Sequence, residues 1–125
     1  VSVMRPSDDE TRFLLSLKAA VGRDDWAWIA DRVAYPLAVN PHPSEASPGK
    51  APPAATRVIR SRQEFLMQYR TIFNDRVKKA LRAQTPDGLF KSWRGVMVGR
   101  GEIWFEEDSG PPKCADGYCI KAINN

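Results

Sequence analysis

Apolar residues recur at helical spacing near the start of the chain. Phe13, Leu14, Leu17 and Val21 fall three or four positions apart, which predicts a helix with one apolar stripe. Ser7-Asp8-Asp9-Glu10 ahead of them reads as a capping box, serine at the N-cap and glutamate three residues on. Gly22 can stop that helix. Asp24 or Asp25 then caps a short second helix whose apolar side is Trp26, Ile29 and Ala30. Ser61-Arg62-Gln63-Glu64 repeats the capping signature before Phe65, Leu66, Tyr69, Ile72 and Phe73, a strong amphipathic pattern. Asn74 caps a renewed pattern through Val77, Ala80 and Leu81, and Thr85-Pro86-Asp87-Gly88 ends it.

Between these helices the pattern is extended. Val33 to Asn40 is apolar, and Pro36 cannot donate to a ladder, so this strand is expected at an edge or beside a bulge. The proline-rich stretch 41–55 has almost no large apolar side chain and reads as a flexible loop. Thr56 to Ser61 sets Val58 and Arg60 against Ile59, a short strand. Leu89 to Val98 and Glu102 to Glu107 read as two strands flanking a Gly99-Arg100-Gly101 hairpin turn. Tyr118 to Asn124 closes the series. Helices come first and strands later, which predicts an α+β fold: a single domain over residues 1–125 with helices on one face of an antiparallel sheet.

Composition narrows the function classes. The chain has 125 residues, 42% of them hydrophobic, enough for one core. No apolar run approaches the ~18 residues of a membrane span. The net charge is +4, but the basic residues are scattered from Arg5 to Lys121, with no basic stripe interleaved with aromatics, so no nucleic-acid partner is expected. Cys114 and Cys119 can close a disulfide around the turn Ala115 to Tyr118. Two thiols or half a metal site are the alternatives; zinc would need two further ligands, and His42 is the only histidine. The disulfide reading implies an oxidising compartment, periplasmic or secreted. Because the chain starts at Val1, that reading assumes a leader already removed.

The order of elements, with the runs "DDWAWIADRVAYPLAVN", "VIRSRQEFLMQYRTIF", "LFKSWRGVMVGRGEIWF" and "YCIKAIN", resembles the nuclear transport factor 2-like superfamily with its cystatin-like cone. Within it, small secreted bacterial members are the nearest in character. The likeness covers about residues 8 to 124. It implies a strongly curved sheet wrapping the long helix and leaving a conical pocket. Family enzymes place a carboxylate and a tyrosine in that cone. Asp31 lies near the end of the second helix but lacks the flanking pattern of an abstracting base, so no catalytic position is carried over. Many relatives are not catalysts; they use the pocket or the sheet face for ligands, dimerisation or partner proteins, and some resemble immunity proteins that neutralise toxins.

Several residues are candidates for binding. Trp93 and Phe105 can pack inside while Gly95 bends the sheet. Alternatively Trp93, Arg94 and Trp104, with Arg100 at the turn, form an outward face for a protein partner. Alternation along a strand puts Trp104 opposite Ile103 and Phe105. Trp26 and Trp28 lie about 200° apart around a helix, so Trp26 goes to the core and Trp28 to the surface or a pocket rim. Tyr35, Tyr69 and Phe73 are expected to line the cone, and Tyr118 to pack on the Cys119 sulfur. His42 sits in a loop without a nucleophile motif. Glu106-Glu107-Asp108 is split between sheet faces and reads as a solvated edge or an acidic hook. The expected function is a non-enzymatic exported domain, without cofactor or metal, that binds a protein partner as a toxin-neutralising inhibitor would. The alternatives are a small-molecule binder or enzyme using the cone, with Tyr69 and Asp31 near the ligand, and a homodimer through the sheet face.

Overall fold

A computed structural model describes residues 5–41, 56–108 and 114–125. His42 and nearly all of the proline-rich stretch lie outside the described residues. Four helices, α1 (Asp8–Gly22), α2 (Trp26–Ala30), α3 (Arg62–Ile72) and α4 (Asp75–Ala83), accompany six strands. The strands are β1 (Val33–Asn40), β2 (Arg57–Ile59), β3 (Phe90–Ser92), β4 (Gly95–Val98), β5 (Ile103–Glu107) and β6 (Tyr118–Asn124). The fold is α+β, with helices packed on one sheet of order β2-β1-β6-β5-β4-β3.

The helices start where the sequence says they should. Ser7 caps α1 reciprocally: its Oγ accepts from Glu10 N at 3.1 Å, and its N–H donates to Glu10 Oε1 at 2.7 Å. Asp25, not Asp24, caps α2 by accepting from Trp28 N. Ser61 Oγ accepts from Glu64 N at 3.1 Å, but the Glu64 carboxylate reaches back to Arg60 N instead of closing a box on Ser61. Asn74 caps α4 through Val77 N. Each cap satisfies a backbone donor that the first helical turn would leave orphaned.

Two features of the sheet differ from the sequence expectation. First, the sheet is mixed: β1 and β6 run parallel, while every other neighbouring pair is antiparallel. Apolar alternation fixes which face a side chain takes but carries no direction. A parallel pair needs a long crossover, here the whole chain from β2 to β5. Second, the single strand expected over 89–98 is a two-strand hairpin. Ser92 pairs with Gly95, and Trp93-Arg94 form the turn between them. Ser92 Oγ accepts from Arg94 N in that turn. Gly95 has φ 120°, and a Cβ there would fall 2.8 Å from the Phe105 carbonyl oxygen, so the turn exit requires glycine.

Of the two placements expected for Pro36, the edge is not taken and the ladder irregularity is. β1 pairs on both sides, and Pro36, after a cis Tyr35-Pro36 bond, sits where its ladder with β6 is interrupted between Val33 and Ala38. The missing donor therefore falls where no ladder bond is made. The turn between β4 and β5 forms as expected, with Gly101 N donating to Val98 O.

The core lies between the helices and one face of the sheet. Phe13, Leu14 and Leu17 of α1, Phe65, Tyr69 and Ile72 of α3, and Val77 and Leu81 of α4 are buried with Val96, Val98, Ile103, Phe105, Ile120 and Ile123. Phe13 packs on Phe105 with ring centroids 4.8 Å apart. Lys91 lies on the same sheet face as Val96, its Cα partner, and reaches α1, where its Nζ meets the buried Glu10 carboxylate at 2.9 Å. Burial alone would raise the Glu10 carboxyl. The hydrogen bond from the Ser7 backbone and the Lys91 ammonium outweigh it and hold the group below its ordinary value.

Candidate functional site

The face of the sheet turned away from the helices carries one apolar side chain from every strand in a single row. Val58 on β2 pairs with Ala38 on β1. Ala38 pairs with Ala122 on β6, and Ala122 with Trp104 on β5. Trp104 pairs with Met97 on β4, and Met97 with Phe90 on β3. Cross-strand partners point to the same face, and Met97 and Trp104 alternate with the core residues Val96 and Phe105, so the row faces outward. Its ends are open: Val58 is 39% and Phe90 47% exposed. Ala38, Ala122, Trp104 and Met97 are half-buried.

Charged side chains lie on the same strands and their turns. Lys121 and Glu106 pair at 3.2 Å on the two strands at its centre. Arg100 tops the β4–β5 turn and lines an open cavity of about 800 Å³ with Arg76, Lys79 and Glu102. At the β3–β4 turn, Trp93 is 83% exposed, with the Arg94 guanidinium 5.0 Å from its ring centroid. Trp93 and Arg94 thus occupy a turn tip, while Trp104 stands on the strand face. Strand alternation could not have separated them without knowledge of the turn.

Trp28 lies elsewhere. It packs near Phe13 across the helices and carries Arg32 over its ring at 3.8 Å. With Phe13 and Tyr118 it walls a cavity of about 510 Å³ whose carboxylates include Asp9, Glu107 and Asp116. Asp116 is bonded by Arg32 and Asp9 by Arg12.

Of the three residues assigned to the cone, Tyr69 and Phe73 stay together and Tyr35 lies apart. The Tyr35 hydroxyl donates to Ala30 O at 2.9 Å. Tyr69 and Phe73 stack at 5.3 Å, and Trp26 stacks on Tyr69 at 5.0 Å. These three rings line a cleft of about 450 Å³ with Asp24, Arg70, Asn74, Asp75 and Lys78. Among the described residues, helices and their links supply the whole lining of this cleft. Burial pushes both Tyr35 and Tyr69 up to about 12. Asp31 is half exposed and bonded to Arg62 Nε at 2.7 Å, so its carboxylate is engaged at the surface.

Cys114 and Cys119 form a disulfide with Cα atoms 5.6 Å apart. Asp116 and Gly117, at φ 64° and 76°, make the turn between them. Asp108 lies close to both sulfurs, but with the sulfurs bonded to each other no thiolate is left there to act as a ligand. Among the described residues no helix is long and apolar enough to cross a membrane. No protein-family model, curated protein or solved structure matches the chain.

Proposed function

We propose that this chain is an exported, non-enzymatic binding domain of the nuclear transport factor 2-like kind, whose outer sheet face docks an acidic protein partner. The observation that carries the reading is the row Val58, Ala38, Ala122, Trp104, Met97 and Phe90, continuous across six strands. An apolar row half-open to solvent along a sheet face, exposed at both ends, is the kind of surface that partners cover, and tryptophan concentrates binding energy there. The partner is taken to be acidic because Arg94 stands beside the exposed Trp93 at the β3–β4 turn, within a chain of net charge +4. A disulfide at the start of β6 suits an oxidising compartment, and the resemblance to immunity proteins makes neutralising a toxin there the role proposed.

The test compares the wild-type chain with Trp104→Glu and Met97→Lys on the outer face and Leu15→Glu on the exposed side of α1. Each is mixed with periplasmic extract of the source organism, and complexes are sized by light scattering. The expected result is a stoichiometric complex with one acidic protein, kept by Leu15→Glu and lost by both face variants. A complex that survives both face variants, or no complex at micromolar concentration, overturns the proposal. A self-complex dissolved by Trp104→Glu replaces the acidic partner with a second copy of the chain.

A further inference from the structure

Arg76, Lys79 and Ala83 fall on one side of α4, at spacings of three and four residues. With Arg100 of the β4–β5 turn they line an open cavity of about 800 Å³. The turn is held against the helix. Gly99 N donates to Gln84 Oε1 at 2.7 Å, and Arg100 N to Glu102 Oε1 at 2.6 Å. Gln84 and Glu102 are only 9% and 5% exposed, and a Cβ on Gly99 would fall 3.0 Å from that of Ala80. Two buried polar side chains thus fix the backbone that carries Arg100, so its place beside α4 is set before any ligand arrives.

Three cations against the single carboxylate of Glu102 leave this lining two positive charges in excess. The other two cavities differ. The cleft at Tyr69 sets Asp24 and Asp75 against Arg70 and Lys78, and the cavity at Trp28 carries more carboxylates than cations. Lys79 and Arg100 are exposed, and none of the ion pairs among the described residues joins either of them. Arg76 is already engaged within the chain, and the Glu102 carboxylate is committed to the turn. Like charges gathered around one cleft repel each other, and an anion seated among them turns that cost into attraction. Beside the cations the helix offers only the small apolar side chains of Ala80 and Ala83.

We propose that this cavity binds a small phosphomonoester. The dianionic head meets Lys79, a compact point charge, and Arg100, whose planar fork suits phosphate oxygens. The organic body lies on Ala80 and Ala83. A monoanion would answer only one of the two uncommitted cations. The cavity falls within the volume range of small-molecule sites, roughly 300–1,000 Å³. It shares no residue with the outer sheet row and does not depend on it.

Isothermal titration at low salt and about pH 7.5, where such an ester is a dianion, tests the assignment. The probes are phenyl phosphate and a hexose phosphate, each against its sulfate ester and against inorganic phosphate. At least one phosphomonoester should bind with a Kd below about 1 mM, and its sulfate ester and the free ion about tenfold more weakly. Affinity should fall severalfold as pH drops through about 6, where the ester loses its second charge. Lys79→Gln and Arg100→Gln should each weaken binding by about five- to tenfold, and Ala83→Glu should abolish it. Arg82→Gln, exposed on the same helix but outside the cavity lining, should leave it unchanged. All four side chains are exposed, so the variants should keep the wild-type circular dichroism spectrum. No binding below about 10 mM, a sulfate ester or the free ion binding as well as the phosphomonoester, or Arg82→Gln weakening binding as much as Lys79→Gln overturns the proposal.

Discussion

Tyr35 and Tyr69 show how differently one residue type can be buried. Both hydroxyls are pushed from 10.0 to about 12 by burial, but only Tyr35 donates to a carbonyl. Tyr35→Phe should cost about 1 kcal/mol in urea denaturation, and Tyr69→Phe should be neutral or slightly stabilising. Their ionisation gives the alkaline limit its sign. The unfolded chain loses these protons near 10.0 and the folded chain near 12, so the stabilisation holds below the first value and is lost as pH rises toward the second. Glu10 works in the opposite direction. Its carboxyl is held below the 4.5 of the free group, so its contribution is present above that pH and disappears as pH falls through the lower folded value. Lys91→Met strands the Glu10 carboxylate and should cost about 2 kcal/mol at neutral pH, with the deficit shrinking in acid; urea midpoints across the acid range read both.

At the scale of elements, caps and turns are the most legible features. The serines ahead of α1 and α3 announce the helices because a side-chain oxygen three residues before a free N–H is a local device. Ser61→Ala should lower stability by about 1 kcal/mol, measured by the same unfolding midpoint. The Cys114–Cys119 bridge closes a loop of sequence separation 5, so Cys114→Ser with Cys119→Ser should cost about 2 kcal/mol through the unfolded chain. Thermal melts of oxidised and reduced protein check it, and equal melting points would refute it. The β3–β4 turn was not legible. Trp93 and Arg94 are not turn formers by type, and Gly95 reads equally as a bulge until Phe105 is known to lie against it.

At the scale of the whole molecule, the α+β class was readable from the order of patterns, and the parallel β1–β6 pair was not. The outer row was hidden for the same reason. Val58, Ala38, Ala122, Trp104, Met97 and Phe90 are ordinary residues in sequence, and only register aligns them. The helical cleft was partly visible, since Tyr69 and Phe73 stood out as candidates, but its charged residues belong to separate helices and links. A basic chain docking an acidic surface should associate more weakly as salt rises. Raising sodium chloride from about 0.05 M to about 0.5 M should slow association of the proposed complex severalfold more than it speeds dissociation.

β6 lies between β1 and β5, so the strand latest in the chain is the keystone of the sheet. On the ribosome the hairpin of β1 with β2 and the meander from β3 to β5 both emerge before the segment that unites them. Until it arrives, each presents a raw edge able to zip onto a stranger. Folding in which β6 pairs late therefore leaves two half-sheets open to strangers at once, and folding in which it pairs early closes both with a single strand.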